Sequence, residues 1–142
     1  DGEYCLLGRQ TVWPKAMYSA IAGFVEPGES LEDAVIREVM EETGIEVTEV
    51  HYRSSQPWPF PSSIMLGFQA KGVKAPLQLN DDELEDARWF TREDMREAFK
   101  EGTLRVPTPF SIAYRLIEDW YDAEAATPLK DLSGIVAHIV KG

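Results

Sequence analysis

The chain is poor in several things that would each have pointed to a function. It has one cysteine, Cys5, so no disulfide can form within it, and a reducing, cytoplasmic compartment is the expectation. No run of 18 apolar residues exists, so no membrane-spanning helix is predicted. No signal peptide is visible. The first residue is Asp1 rather than methionine, and an apolar run follows almost at once, which suggests a fragment of a longer protein. Basic residues are scarce: 14 Lys and Arg face 25 Asp and Glu, a net charge of −11. A surface this acidic repels phosphate polymers and argues against broad, non-specific nucleic-acid binding. The two histidines, His51 and His138, belong to no pattern and read as surface or structural residues. There is no repeat and no low-complexity segment.

What is present suffices for one domain over 1–142. With 142 residues, 44% of them hydrophobic, the chain can bury a real core. Residues 3–8 read as a strand, and 17–22 as a second. Residues 45–54 alternate and suggest strand. Residues 64–70 are apolar enough for a central strand. Residues 73–79 are weaker, and Pro76 demotes them to an edge. Residues 87–90 form a short strand. Thr91 with Asp94 caps a helix that runs to Lys100 and ends at Gly102. Residues 110–122 form an amphipathic helix with Ile112, Ala113, Leu116, Ile117 and Trp120 on one face. After Pro128 the tail is ambiguous, and 135–140 fits strand or helix. Strands mixed with helices imply an α/β arrangement with a covered sheet.

One stretch, Gly23 to Ile45, organises the rest. Pro27-Gly28 is a turn signal. Ser30 and Asp33 are a capping pair that opens a helix over 31–43, and Gly44 stands where a helix ends. Leu31, Ala34, Val35, Val39 and the stem of Met40 share a stripe. Glu38, Glu41 and Glu42 share another. Side chains at these spacings have Cβ atoms about 5–6 Å apart. Three carboxylates there repel one another, at the helix end whose dipole disfavours negative charge. A structural helix gains little from that. A hard divalent cation relieves it, since Mg²⁺ takes oxygen ligands and bridges carboxylate and phosphate. Arg37 can hold a glutamate in place through a fork of hydrogen bonds.

The same stretch reads G-x5-E-x7-R-E-U-x-E-E-x-G-U, with U apolar: Gly23, Glu29, Arg37, Glu38, Val39, Glu41, Glu42, Gly44, Ile45. This resembles the Nudix box, the signature of hydrolases of nucleoside diphosphates linked to another moiety. The resemblance implies an α/β/α sandwich with a mixed β-sheet and the box helix packed between sheets.

A second constellation follows at 55–63, Ser-Gln-Pro-Trp-Pro-Phe-Pro-Ser-Ser. Pro57, Pro59 and Pro61 fix φ and stiffen the segment. Two rings, Trp58 and Phe60, sit between them. The stretch reads either as a rigid loop with its rings tucked into the core or as a preorganised wall for a planar ring. Stacking a base on an aromatic is worth ~1–3 kcal/mol. Box and motif together resemble the NADH pyrophosphatase subfamily, across residues 4–121. By that resemblance Gln56, Pro57, Trp58, Pro59, Phe60, Pro61, Ser62 and Ser63 would line a dinucleotide pocket. Phe24 would wall it and Ala113 would contact substrate. The carbonyl of Ala22 would bind metal with Glu38 and Glu42. An acidic run at 81–86 precedes Trp89, and the subfamily pattern E-x5-W falls on Glu83 as a further metal ligand, with Glu85 and Asp86 as competitors. As a charge run, its plain reading is a solvated loop.

The implied reaction is hydrolysis of the diphosphate linkage of NADH or NAD⁺ to nicotinamide mononucleotide and AMP. Two or three Mg²⁺ or Mn²⁺ ions would assist, with Glu41 or Glu42 as base and Arg37 as orienting residue. The pocket would also accept the NAD-capped 5′ end of an RNA, and a homodimer is expected. The subfamily carries an upstream four-cysteine zinc ribbon and a further domain; with Cys5 alone, this chain cannot build a zinc site. Two rival functions stand beside this one: a Nudix diphosphatase for ADP-ribose or dinucleoside polyphosphates, and a non-catalytic nucleotide-sensing module.

Overall fold

The computed structural model describes residues 3–10, 13–14, 16–58, 63–79, 84–124 and 128–129, with Trp58 described in its backbone alone. In chain order the elements are β1 (Tyr4–Gln10), α1 (Leu31–Thr43), β2 (Val47–Trp58), β3 (Ser63–Gly72), β4 (Leu84–Thr91), α2 (Arg92–Glu101) and α3 (Ile112–Asp122). The strands pair as two antiparallel ribbons, β1 with β4 and β2 with β3. Leu7 faces Arg88 in the first, and Gln56 faces Met65 in the second. The expected mixed sheet therefore appears, among the described residues, as antiparallel ladders plus one parallel bridge between Met17 and Arg105. Among the same residues no helix is long and apolar enough to cross a membrane.

The predicted strand at 17–22 does not form. Its backbone is shared between two neighbours. Ser19 and Gly8 exchange both N–H···O bonds at 2.9 Å, while the Tyr18 N–H donates to the Arg105 carbonyl at 2.9 Å. Each side supplies only a bridge, so no ladder grows. Ala16, at φ 69°, precedes this stretch in the left-handed region. The weak strand predicted at 73–79 is also absent. That segment is a strap instead: Val73 N–H donates to Glu46, Gln78 N–H to Thr43, and the Trp89 indole to the Ala75 carbonyl.

β3 is not central. Among the described residues it pairs with β2 alone, and Ile64 is 63% exposed. β2 is longer than predicted and takes in Pro57 and Trp58, opposite Ile64 and Ser63. The first half of the proline-rich motif is thus strand rather than loop. An edge strand tolerates proline because the missing donor can face away from the partner.

The core lies on the other ribbon. Leu7, Tyr18, Phe90, Met95, Phe99, Leu104, Tyr114, Ile117, Tyr121 and Leu129 form one buried cluster. Helix α3 feeds it with more than the predicted face. Ile112 and Ile117 are buried as expected, but so are Tyr114 and Tyr121, while Ala113, Leu116 and Trp120 are only half-buried. Tyrosine carries a large apolar body beneath its hydroxyl and packs like a hydrophobe. Helix α1 buries Ala34 of its predicted stripe, leaves Val35 and Val39 half-buried and exposes Leu31 and Met40 at the two ends.

Candidate functional site

Local sequence builds α1 as predicted. The Ser30 hydroxyl accepts from the Asp33 N–H at 3.1 Å. Gly44 adopts φ 74° and returns its N–H to the Met40 carbonyl, a left-handed closure that costs glycine least. A Cβ at Gly44 would also meet the Gln78 side chain at 3.2 Å.

Arg37 holds the centre of the site, and the glutamate in its fork lies outside the helix. It grips Glu29, in the loop before the helix, with Nε at 2.8 Å from Oε2 and Nη2 at 2.9 Å from Oε1. The same Nη2 reaches the Phe24 carbonyl at 2.9 Å. Nη1 bridges Glu38 at 2.9 Å and Glu41 at 3.1 Å. One guanidinium thereby ties loop 24–29 to the acidic face of α1, a use of its planar donor geometry that lysine cannot reproduce. Hydrogen bonds from Arg37, then the Glu26 N–H, hold the Glu29 carboxyl down at about 2. The Arg37 guanidinium is pushed further up from its usual range by Glu29 and Glu38. Glu29 was present in the sequence motif without a role; the arginine eight residues on was the available signal.

Glu38 lies against the backbone of Gly23. A Cβ placed on Gly23 would come within 2.2 Å of the Glu38 carboxyl carbon. A side chain at Gly23 would push the Glu38 carboxylate out of this position, and glycine leaves it room. Ala22, whose carbonyl was the predicted metal ligand, adjoins it. Glu42, one turn further along α1, is 1% exposed. Burying a carboxylate is costly unless positive charge or donors offset it. Glu41 is more exposed, at 55% of its side chain.

These residues fit a divalent cation by donor type: two carboxylates one turn apart and the main-chain carbonyl of the residue before Gly23, all hard oxygen donors. Among the described residues, however, no three acidic, histidine or cysteine groups stand close enough to form a ready-made metal cluster. Glu83, the remaining predicted ligand, lies outside the described residues. Its two competitors have other partners. Glu85 pairs with Arg9 at 2.6 Å, while Asp86 accepts from Tyr18 at 2.5 Å and from Arg88 at 2.9 Å. Burial and the Asp86 bond push the Tyr18 hydroxyl up to about 12.

An open cleft of about 1720 Å³ adjoins Glu38. Ala22, Phe24, Gln56, Ser63 and Ala113 are among the residues that line it. Phe24 is 85% exposed and presents its ring to solvent. Pro57 is exposed on β2 and does not line the cleft. Pro59, Phe60, Pro61 and Ser62 lie outside the described residues, as does His138. His51 is an exposed strand residue 3.6 Å from Glu49, in keeping with a surface role.

The NUDIX domain model matches residues 1–108. The chain belongs to the NUDIX family. It is 49% identical over 123 residues to the NAD-capped RNA hydrolase NUDT12 of Macaca fascicularis, a match covering 84% of this chain and 27% of that protein. It is 44% identical over 134 residues to the NAD-capped RNA hydrolase NudC of Mycobacterium bovis, covering 87% of this chain and 43% of that one. The chain thus spans less than half the length of these relatives. Among solved structures it is similar to a NUDIX-family hydrolase from Clostridium perfringens, with a TM-score of 0.65, 18% identity and coverage of 87% and 91% of the two chains. It is also similar to the NUDIX domain of Shewanella oneidensis NrtR complexed with ADP ribose, with a TM-score of 0.61, 19% identity and coverage of 83% and 75%. Those two likenesses confirm the NUDIX α/β fold.

Proposed function

We propose that this NUDIX domain hydrolyses the diphosphate linkage of NADH and NAD⁺ to nicotinamide mononucleotide and AMP, and that its cleft also takes the NAD-capped 5′ end of an RNA. The observation that carries this is the Gly23–Glu38 contact beside a cleft that holds Gln56, Ser63 and Ala113 as well. Glu38 and two residues of the 55–63 motif, Gln56 and Ser63, line one space. The names of the two protein relatives support the same substrate class.

Bound Mg²⁺ or Mn²⁺, two or three ions held by Ala22, Glu38, Glu42 and Glu83, would polarise the phosphoryl oxygens and acidify a water. The chain's own residues do the rest. Arg37 fixes Glu38 and the loop before α1. Glu41 or Glu42 accepts the proton of the attacking water. Trp58, Phe60 and Ser63 of the 55–63 motif, with Phe24 and Ala113, bound the space for the nicotinamide and adenine ends. A homodimer would cover some of the exposed apolar surface, which includes Phe24, Ile64 and Phe110.

The test is product analysis. The purified chain is incubated with Mg²⁺ or Mn²⁺ and equal amounts of NADH, NAD⁺, ADP-ribose, diadenosine tetraphosphate and an NAD-capped RNA. Reduced nicotinamide mononucleotide plus AMP as the dominant products supports the proposal. Preferred cleavage of ADP-ribose overturns the substrate while keeping the metal site. Glu42→Gln should lower turnover by orders of magnitude; a near-normal rate would refute its role. Sedimentation of the same preparation tests the dimer.

A further inference from the structure

The geometry points to a different role for Gln56 than contact with substrate: it is a positioning residue that fastens α3 to the β2–β3 ribbon and so sets the cleft wall carrying Ala113. Both ends of its amide are committed to backbone. Nε2 donates to the Phe110 carbonyl at 2.6 Å, and Oε1 accepts from the Ile112 N–H at 3.0 Å. Ile112 is the first residue of α3. Its N–H is one of the donors that a helix start leaves without an intrahelical partner. Gln56 therefore caps α3 from 56 residues away, alongside the local cap in which the Ser111 hydroxyl accepts from the Tyr114 N–H.

Two further contacts fix the same helix to the same ribbon. Gln69, on β3, donates from Nε2 to the Leu116 carbonyl at 2.9 Å. Gly67, between them on β3, has no side chain where a Cβ would meet the Ile112 Cδ1 at 2.8 Å and the Leu116 Cδ1 at 3.4 Å. An amide at each end and a glycine in the middle set the height and rotation of α3 on the ribbon. Ala113 and Leu116 then face the cleft, Tyr114 and Tyr121 enter the core, and Ile117 belongs to both. The amide of Gln56 is spent on this clasp. Its effect on substrate is transmitted through Ala113. This rests on the cleft being the substrate site.

Two readouts separate the clasp from direct contact. The first is hydrogen exchange of the Ile112 and Ala113 amides in substrate-free protein. The second is the split between KM and kcat for NADH. Gln56→Met keeps length and removes both hydrogen bonds. It should speed exchange at Ile112 and raise KM about three- to tenfold, the range expected from ordinary hydrogen bonds, with kcat less affected. Gln56→Glu keeps the acceptor for Ile112 and loses the donor to Phe110, so it should fall between. Gly67→Ala displaces Ile112 without touching Gln56 and should move KM the same way. Raised KM with unchanged exchange at Ile112 would mean that Gln56 touches substrate and would overturn the inference. Faster exchange with unchanged KM would overturn it too, since the clasp would then not set the wall. If the wild-type chain cleaves nothing, the proposed function fails; exchange, with NADH affinity read from its fluorescence in place of KM, still decides the role of Gln56.

Discussion

Helix α1 opens on Ser30 and closes on Gly44; helix α2 opens on Thr91 and closes on Gly102. Both first turns are acidic, Glu32 and Asp33 in one, Glu93 and Asp94 in the other, and both closing glycines are left-handed. The last turns differ. α2 carries Lys100 there, which suits the negative end of the helix dipole, and it buries Met95 and Phe99. α1 has no basic residue in its last turn and buries Glu42 and Thr43. Start and stop signals thus say only where a helix lies. What it is for shows in charge placed against the dipole, with an arginine recruited to hold it.

Changes that separate packing from chemistry sharpen this contrast. Met95→Ala removes a fully buried side chain of α2 and should cost ~2–5 kcal/mol in denaturant unfolding. Turnover per folded molecule should stay unchanged; a loss of specific activity would make α2 part of the site. Arg37→Lys does the reverse. It keeps the charge and loses the fork to Glu29, so turnover should fall about 10–100-fold, the range for residues that orient metal ligands. The unfolding midpoint should barely move, because the network is partly exposed. Equal losses in rate and stability would erase the distinction between the two helices.

The caps offer a finer test. Ser30→Ala and Thr91→Ala should each cost ~1 kcal/mol of stability. Only Ser30→Ala should also lower activity, since the loop bearing Glu29 leads into that cap. The smallest effect is a titration. Glu29 is held at about 2, below its ordinary 4.5. Its contribution to stability is complete above pH 4.5 and is lost as the pH falls toward 2. Carboxyl NMR should give a midpoint near 2, returning toward 4.5 in Arg37→Ala. A midpoint near 4.5 in the wild type would remove Glu29 as the anchor of Arg37.

Much of the carboxylate site was legible because its information is short-range. Caps, turns and i, i+4 neighbours are dictated by backbone geometry within a few residues, so α1 runs over Leu31–Thr43 as predicted. The errors came wherever a segment's fate depends on distant partners. Residues 17–22 have strand-like composition, yet Gly8 and Arg105 divide their hydrogen bonds. Pro57 and Trp58 read as loop, yet Ser63 and Ile64 pair with them. Tyr114 and Tyr121 were not on the predicted apolar face of α3 and are core.

The amino-acid order alone determined the family motif, the box helix with its caps, and the acidic face that calls for a cation, because each is a matter of spacing along one element. Only the tertiary structure decided that Arg37 would grip Glu29, that Glu38 would lie on Gly23, and that the amide of Gln56 would be consumed by a helix 56 residues away. Those contacts depend on where loops and ribbons meet in space. Side-chain spacing along one strand or helix carries no record of the partner that will fold against it.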